Sequence, residues 1–469
     1  MYTLTKSDFL HYRACRKSFW LARHKPDALP KSSLSDFDLM LMNDGYAVEE
    51  QTRLLVRNWA DPENLKFQAT YTTDQGLLVR ADLVRVIDEN TIDLFEVKSS
   101  TSTRGHLEDA AFQLIAIERS GITVRDINII HVDKTYIRNG DVDAEALLSI
   151  VNVNDEVRVL CPNLERDIDD ALAWVARETI NENGCECRYK GSIPNHCAGF
   201  DHFNPDVPAQ SIYLLPNIRS GRIKGFVDNE CLALEDVQDD EVTLAMLPIL
   251  QAAHAGIPVI NRSRISEFLR ALSFPLYFYD YETFKSAVPI MNGVSPHQQV
   301  PVQVSVHKLH IDGTLEHSEF LAKGPGYRRE LLQSLRQSIG DVGHCVSWSK
   351  SFEIGRNKEL AKDYPEYSEF LDSMNDRTVD LMEVFKRDYV DIRFKGSTSI
   401  KNVLPVVCPH LSYENMAVGN GGTAMAAWLS MSVETDPVLV EKKRKNLLEY
   451  CKLDTYAMVE IYRFLLGVI

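Results

Sequence analysis

Two apolar β-runs, each closing on spaced acids, constrain this chain more than any other feature. The first passes through Gly76–Val86 and Thr91–Lys98, joined by the turn Asp88-Glu89-Asn90, and ends on Glu96-Val97-Lys98. The second, Leu276-Tyr277-Phe278-Tyr279-Asp280, runs into Asp280-Tyr281-Glu282. Successive side chains of a strand point to opposite faces, so such runs need a layer packed over their apolar side. Helical periods supply it. A first helix is predicted with Ser7 as N-cap and Phe9, Leu10, Phe19, Trp20 and Leu21 as apolar positions, and a second from about Asp36 to Asn58. A helix through Leu107 to Arg119 and an apolar strand Ile127 to Val132 follow the first run. Strands at Pro301 to Leu309 and Cys345 to Trp348 follow the second, then a closing helix from about Pro437 to Leu466. The order implies an α/β fold twice over.

A chain of 469 residues also exceeds one typical hydrophobic core. We expect one domain over residues 1–200, another over 271–469, and a connector, 201–270, between them. The connector carries Pro205, Pro208, Pro216, Pro248 and Pro258 and one convincing helix near Val242 to Ala255. A 45% hydrophobic and 25% charged composition is that of a globular protein rather than a disordered one. No apolar run is long enough to span a bilayer and the opening residues lack a signal-type apolar segment, so a cytoplasmic protein without a membrane partner is expected. The net charge of -16 argues against binding nucleic acid by bulk charge. A nucleic-acid enzyme of this balance must gather its Lys and Arg locally. Nine cysteines with no export signal point toward metal binding or burial rather than disulfides.

Glu96 and Lys98, two apart on a strand, share a face while Val97 turns to the core. If the two strands are neighbours, Asp82 joins them. Two carboxylates can then hold a divalent ion that activates water and steadies charge on a phosphoryl oxygen. The lysine adds a fixed positive charge. A surface ion pair on a hairpin is the plainer alternative. The triplet ends an apolar strand (Ile92, Leu94, Phe95), and Gln113 lies on the helix after it. In this order the stretch resembles the PD-(D/E)xK nucleases of restriction-endonuclease-like fold, especially their RecB-like branch. The resemblance implies Asp82, Glu96, Lys98 and Gln113 as catalytic residues, with Mg²⁺ or Mn²⁺ on Asp82 and Glu96. It also implies a further ligand on an earlier helix: Glu49 in Gly45-Tyr46-Ala47-Val48-Glu49, with Glu50 as rival. Ile117 stands where the family often has tyrosine.

Cys15 in the first helix and Cys185, Cys187 and Cys197 after the first core can converge on one metal centre. The arrangement resembles the iron–sulfur RecB-type nucleases and implies a [4Fe–4S] cluster that ties the domain's ends together. Its first pair is C-x-C, where the family more often has C-x-x-C. Zinc is the rival, with His196 beside Cys197, and plain buried thiols are the third reading. Cys161, Cys231, Cys345, Cys408 and Cys451 read as core residues.

Asp280 and Glu282 share a strand face, and Tyr450 and Asp454, four apart, share a helix face. Four convergent carboxylates would bind two divalent ions ~3.5–4 Å apart. The order D-x-E, a middle acid and Y-x-x-x-D resembles the DEDD exonucleases of the ribonuclease H-like fold. The resemblance implies Asp280, Glu282, Glu353 and Asp454 as metal ligands and Tyr450 as an aid to the attacking water. In Ser349-Lys350-Ser351-Phe352-Glu353 a glutamate replaces the expected aspartate, and Asp380 offers a further acid. Gly396-Ser397-Thr398-Ser399-Ile400-Lys401-Asn402-Val403-Leu404-Pro405 resembles a recurrent element of an uncharacterised DEDD-like family, commonly found behind a RecB-like domain in bacteria. Lys401 is either a phosphate contact or a solvated lysine at a helix start. Isolated surface acids are the bland alternative for this group.

Together these resemblances imply a metal-dependent nuclease with two sites, acting on DNA ahead of RNA, the second site from 3′ ends. Two alternatives stand beside it: a C-terminal domain that only binds nucleic acid or a partner, and an adaptor without chemistry.

Overall fold

The computed structural model describes residues 2–31, 33–191 and 193–469 and is a mixed α/β protein. Its first half runs β1 (Leu4–Thr5), α1 (Lys6–Ala14), α2 (Arg16–His24), α3 (Asp36–Val56), β2 (Leu65–Thr72), β3 (Leu77–Val86) and β4 (Thr91–Lys98). It continues through α4 (Leu107–Arg119), β5 (Thr123–Val132), α5 (Ala144–Leu147), β6 (Leu148–Asn152) and α6 (Asn154–Val175). Short elements follow: α7 (Phe200–Phe203), α8 (Ser220–Asp228), α9 (Leu247–Ala255), β7 (Val259–Ile260) and α10 (Arg262–Arg270). The second half opens with β8 (Leu276–Phe284), β9 (Val300–Leu309), β10 (Leu315–Leu321), α11 (Arg328–Ser338), β11 (His344–Ser347), α12 (Lys350–Asp363) and α13 (Ser368–Asp376). It closes with β12 (Thr378–Asp380), α14 (Met382–Arg387), β13 (Tyr389–Val390), α15 (Ile400–Val407), α16 (Gly421–Ser432) and α17 (Pro437–Val468).

Thr5, rather than Ser7, caps the first helix. Its hydroxyl accepts from the Asp8 N–H while Asp8 accepts from the Thr5 N–H, so two orphan donors are satisfied at once. The expected single helix is two, because Cys15 adopts an extended backbone (φ -166°) and its sulfur caps α2 at Ser18 N. The helix expected from Val242 begins only at Leu247, with Pro248 in its first turn.

The first sheet has the order β1-β3-β4-β5-β6, with β2 also on β3. β2 covers β3 from Leu78 to Arg85, so β1 (at Leu77 and Leu78) and β4 (at Leu83 to Val86) must lie along its other edge. Between them that edge is unpaired, and Asp82 sits at the fork where β4 departs. Helix α4, buried from Asp109 through Ile117, covers one face of the sheet. On the other face, Val48 and Val56 of α3 pack with Leu83, Phe95, Ile130 and Val132. Ile212, Leu214, Ile223, Phe226 and Leu250 of the expected connector bury in the core under α4.

In the second sheet the order is β10-β9-β8-β11-β12, that is 3-2-1-4-5 by appearance. β9 runs antiparallel to β8 and β10, while β11 is parallel to β8 and β12. The α17 helix crosses β8 and β9 and so reaches the acids on β8. The halves interlock. Ala287 and Val288 pack into the α3 cluster, the Ala287 N–H donates to Asp44, and His297 Nε2 donates to the Ser99 carbonyl at 2.6 Å.

Candidate metal centres and active sites

The pairing Leu83↔Phe95, extended by one residue, brings Asp82 opposite Glu96 at the fork. Asp82 accepts from the Val97 N–H at 2.9 Å. Lys98 Nζ lies 2.7 Å from Glu96 Oε1, and Gln113 Nε2 donates to Glu96 Oε2. The four expected residues therefore do meet. Two more were not foreseen. Lys6, delivered by β1 and the Thr5 cap, reaches Glu96 Oε1 at 2.6 Å, and Asp109 accepts from Lys98 at 2.7 Å. Asp109 had a readable signal, since it stands one helical turn before Gln113 on the same face.

Burial, then the neighbouring Glu96, pushes Asp82 up to about 7. Burial also opposes ionisation of Glu96, but the ammoniums of Lys6 and Lys98 outweigh it and hold that carboxyl at about 2. One buried acceptor, Gln113 Oε1, has no partner. A buried orphan acceptor beside two acids suits a cation or an ordered water. Glu49, the expected further ligand, lies on α3. Its carboxylate is held by Gln68 Nε2 at 3.2 Å, and Gln68 (φ 55°) occupies the register position opposite Asp82. Among the described residues no third acid or histidine forms a tight set with Asp82 and Glu96. The rival Glu50 is exposed.

The sulfurs of Cys15, Cys185, Cys187 and Cys197 all lie within 4.8 Å of one another, and none is in a disulfide. The Cys15 break between α1 and α2 turns one sulfur inward, and the loop after α6 supplies three. Cys185 and Cys197 are 3.9 Å apart. His196 is no part of the set: its Nε2 bonds the Lys190 carbonyl and its ring stacks on Phe200 at 3.8 Å. Four convergent soft donors fit a thiolate-bound metal centre. Tetrahedral zinc with Zn–S bonds of about 2.3 Å would hold its sulfurs roughly 3.8 Å apart. The other five cysteines stand apart from this set.

Asp280, Glu282 and Asp454 offer carboxylate oxygens within 4.8 Å of one another. They line a cavity of 500 Å³ with Glu353 and Tyr450. Glu353, only 2% exposed, is set beside Asp280, and its Oε2 has no hydrogen-bond partner. Burial, then Asp454 for Asp280 and Asp280 for the other two, holds Asp280, Glu282 and Glu353 well above the carboxylate range. Burial raises Asp454 to about 6, against the pull of the Tyr413 hydroxyl and Lys401. Glu282, Glu353 and Asp454 are buried and Asp280 is half-buried, and four acids sharing one cavity with an orphan oxygen fit divalent cations. Tyr413, missed from sequence, donates to Asp454 Oδ1 at 2.6 Å. Asp380 stands outside this cavity's lining. It accepts from the N–H groups of Ser349, Lys350 and Met382 and so anchors the first turn of α12, which carries Glu353.

Residues 277–399 match a domain of unknown function, DUF2779. The match holds Asp280, Glu282 and Glu353 and stops before Tyr450 and Asp454. The chain is also 28% identical over 214 residues to the uncharacterized protein MG366 of Mycoplasma genitalium, covering 40% of this chain and 31% of that one. It is 26% identical over 212 residues to the MG366 homolog of Mycoplasma pneumoniae, covering 40% and 32%. The match thus spans about a third of the length of these relatives, and their names state no activity. No helix is long and apolar enough to cross a membrane among the described residues.

Proposed function

We propose that this chain is a cytoplasmic, metal-dependent nuclease that hydrolyses phosphodiester bonds in DNA, ahead of RNA, at two sites. The observation that carries the reading is the convergence of Asp280, Glu282, Glu353 and Asp454 on one cavity, with a buried carboxylate oxygen left without a partner. Four crowded acids, once ionised, repel one another unless cations lie between them. The 3-2-1-4-5 strand order with one antiparallel strand supports the ribonuclease H-like, DEDD-type interpretation of this half. The Asp82, Glu96, Lys98 and Gln113 cluster on a forked sheet supports the PD-(D/E)xK interpretation of the first half.

Mg²⁺ or Mn²⁺ on these carboxylates would lower the pKa of a bound water and neutralise charge on the phosphoryl oxygens. The chain's own groups do the rest. Tyr450, a cavity-lining hydroxyl one turn from Asp454, orients the attacking water. Lys98, held by Glu96 and Asp109, supplies positive charge to a scissile phosphate, and Gln113 fixes the Glu96 rotamer. The four thiolates act as a structural clamp between residue 15 and the 185–197 loop. The family likeness favours a [4Fe–4S] cluster there and the 3.9 Å sulfur spacing favours zinc. Iron, acid-labile sulfide and zinc contents of the purified protein decide between them.

The nuclease test uses end-labelled single- and double-stranded DNA and RNA with Mg²⁺ or Mn²⁺. Lys98→Ala and Asp280→Ala are each expected to remove one activity, and the double variant both. Degradation unchanged in the double variant sinks the two-site reading. Loss in Lys98→Ala alone favours a C-terminal half that only binds, a role the Glu353 replacement makes the second reading.

A further inference from the structure

The seam between the halves holds a cavity of 360 Å³ that shares no lining residue with the acid-lined one. The segment between β8 and β9 builds one wall, because the loop after β5 clamps it. The Arg138 N–H donates to the Val294 carbonyl at 3.1 Å, and the Gly293 N–H donates to the Arg138 carbonyl at 2.8 Å. The Gly140 N–H donates to Asn292 Oδ1 at 2.9 Å. Arg328, the first residue of α11, and Tyr364, just past the end of α12, line the other side. Backbone pairing thus fixes the walls before any ligand arrives.

The charge of this cavity is the reverse of the first. No carboxylate lines it. Arg138 directs Nε to the Gly140 carbonyl at 2.9 Å and Nη1 to the Pro289 carbonyl at 2.7 Å, so both partners are neutral. Among the described residues no acid within ion-pair distance offsets its charge, and its other terminal nitrogen keeps two N–H donors to offer. Arg328 is held by Asp363 at 2.5 Å and lies over the Tyr364 ring, 5.4 Å from its centre. Helix α11 starts at the cavity, and no side chain caps its first turn. Glu330, in that turn, is exposed and outside the lining. A guanidinium without an acid and an uncapped helix start both favour an anion. The volume is that of a small-molecule pocket rather than of a bare ion, and Ile290, Met291 and Pro325 give it an apolar side.

We propose that the seam cavity binds a small organic phosphate, with Arg138 and the start of α11 on the phosphate and the apolar side on the organic body. Its walls come from both halves, so the ligand stabilises the interlocked chain. Full-length protein without added Mg²⁺ or Mn²⁺ is titrated calorimetrically with thymidine 5′-monophosphate, thymidine and inorganic phosphate. The monophosphate is expected to bind at least about tenfold more tightly than either of the others. Arg138→Gln should weaken it roughly tenfold, the loss of one charge-assisted contact. Arg138 also clamps Pro289, so a second variant leaves it in place. Pro325→Glu sets a carboxylate on the exposed rim and should weaken the monophosphate by a similar factor through like-charge repulsion. The monophosphate should also raise the Tm of the parent more than that of either variant.

Equal affinity for thymidine and its monophosphate overturns the site, and that comparison needs no variant to fold. A dissociation constant above about 10 mM for the monophosphate overturns it as well. Inorganic phosphate bound as tightly as the monophosphate removes the organic ligand and with it the proposal. Parental affinity in both Arg138→Gln and Pro325→Glu puts the phosphate elsewhere on the chain and is equally fatal. None of these outcomes depends on cleavage of nucleic acid, so the seam site and the nuclease reading fail separately.

Discussion

Single residues decide the electrostatics of both acid clusters. At the fork, Lys6 and Lys98 keep Glu96 ionised while Asp82 is left to absorb the cost of burial, so two adjacent carboxyls separate to about 2 and about 7. In the second cavity Lys401 pulls on the acids without an ion pair, and burial prevails, so they stay raised. The sign of the pH dependence follows. Asp454 and Asp82 are raised from 3.8 to about 6 and about 7. A carboxyl raised by folding stabilises the fold fully below its unfolded value, and that contribution is lost as pH rises through the folded value. The metal-free protein should therefore lose thermal stability between roughly pH 4 and pH 7. Saturating Mn²⁺ should restore it at the upper end, where the carboxylates are ionised. Scanning calorimetry across that window is the check, and a flat metal-free Tm would contradict it.

At the scale of elements, the loop into α12 shows how a strained backbone is kept. Ser349 holds φ 74°, a left-handed conformation that costs a non-glycine residue about 1–3 kcal/mol. Asp380, arriving from β12, accepts N–H bonds from Ser349 and Lys350 at 3.1 and 3.0 Å and holds the turn in place. It does the work of an N-cap from a distant strand. Asp380→Ala should cost about 2 kcal/mol in urea unfolding and should weaken the C-terminal activity by misplacing Glu353. Ser349→Gly in that background should recover part of the stability, because glycine adopts the left-handed turn freely. No recovery would mean that the strain lies elsewhere.

For the whole molecule, the four-cysteine centre and the interlock of the halves set the organisation. The centre joins Cys15 to the 185–197 loop, across most of the first half, and any metal bound there adds its binding energy to folding. Cys15→Ser should lower stability by about 3 kcal/mol or more. A strong chelator should destabilise the parent protein but hardly change the variant; equal sensitivity of the two would argue against a structural metal. The acidic balance also finds a local answer. Lys6 and Lys98 stand by the acids of one site and Lys401 by those of the other, a local gathering of positive charge in a chain of net charge -16.

Spacing within one strand or helix was legible in the sequence, because local geometry sets it. Glu96 and Lys98 had to share a face, as did Tyr450 and Asp454, and the structure has them so. The four clustered cysteines were legible as a set because three lie within one short loop. Tertiary structure alone decided the partners that come from elsewhere in the chain. Lys6 reaches Glu96 because β1 and β4 share an edge of β3, and Tyr413 reaches Asp454 only where the loop before α16 folds onto α17. Glu49 turned to Gln68, a residue in a strand whose left-handed kink no alternation pattern announces. The paired β-runs that end on acids set which chemistry was within reach; sheet register and helix packing determined which charges stand beside it.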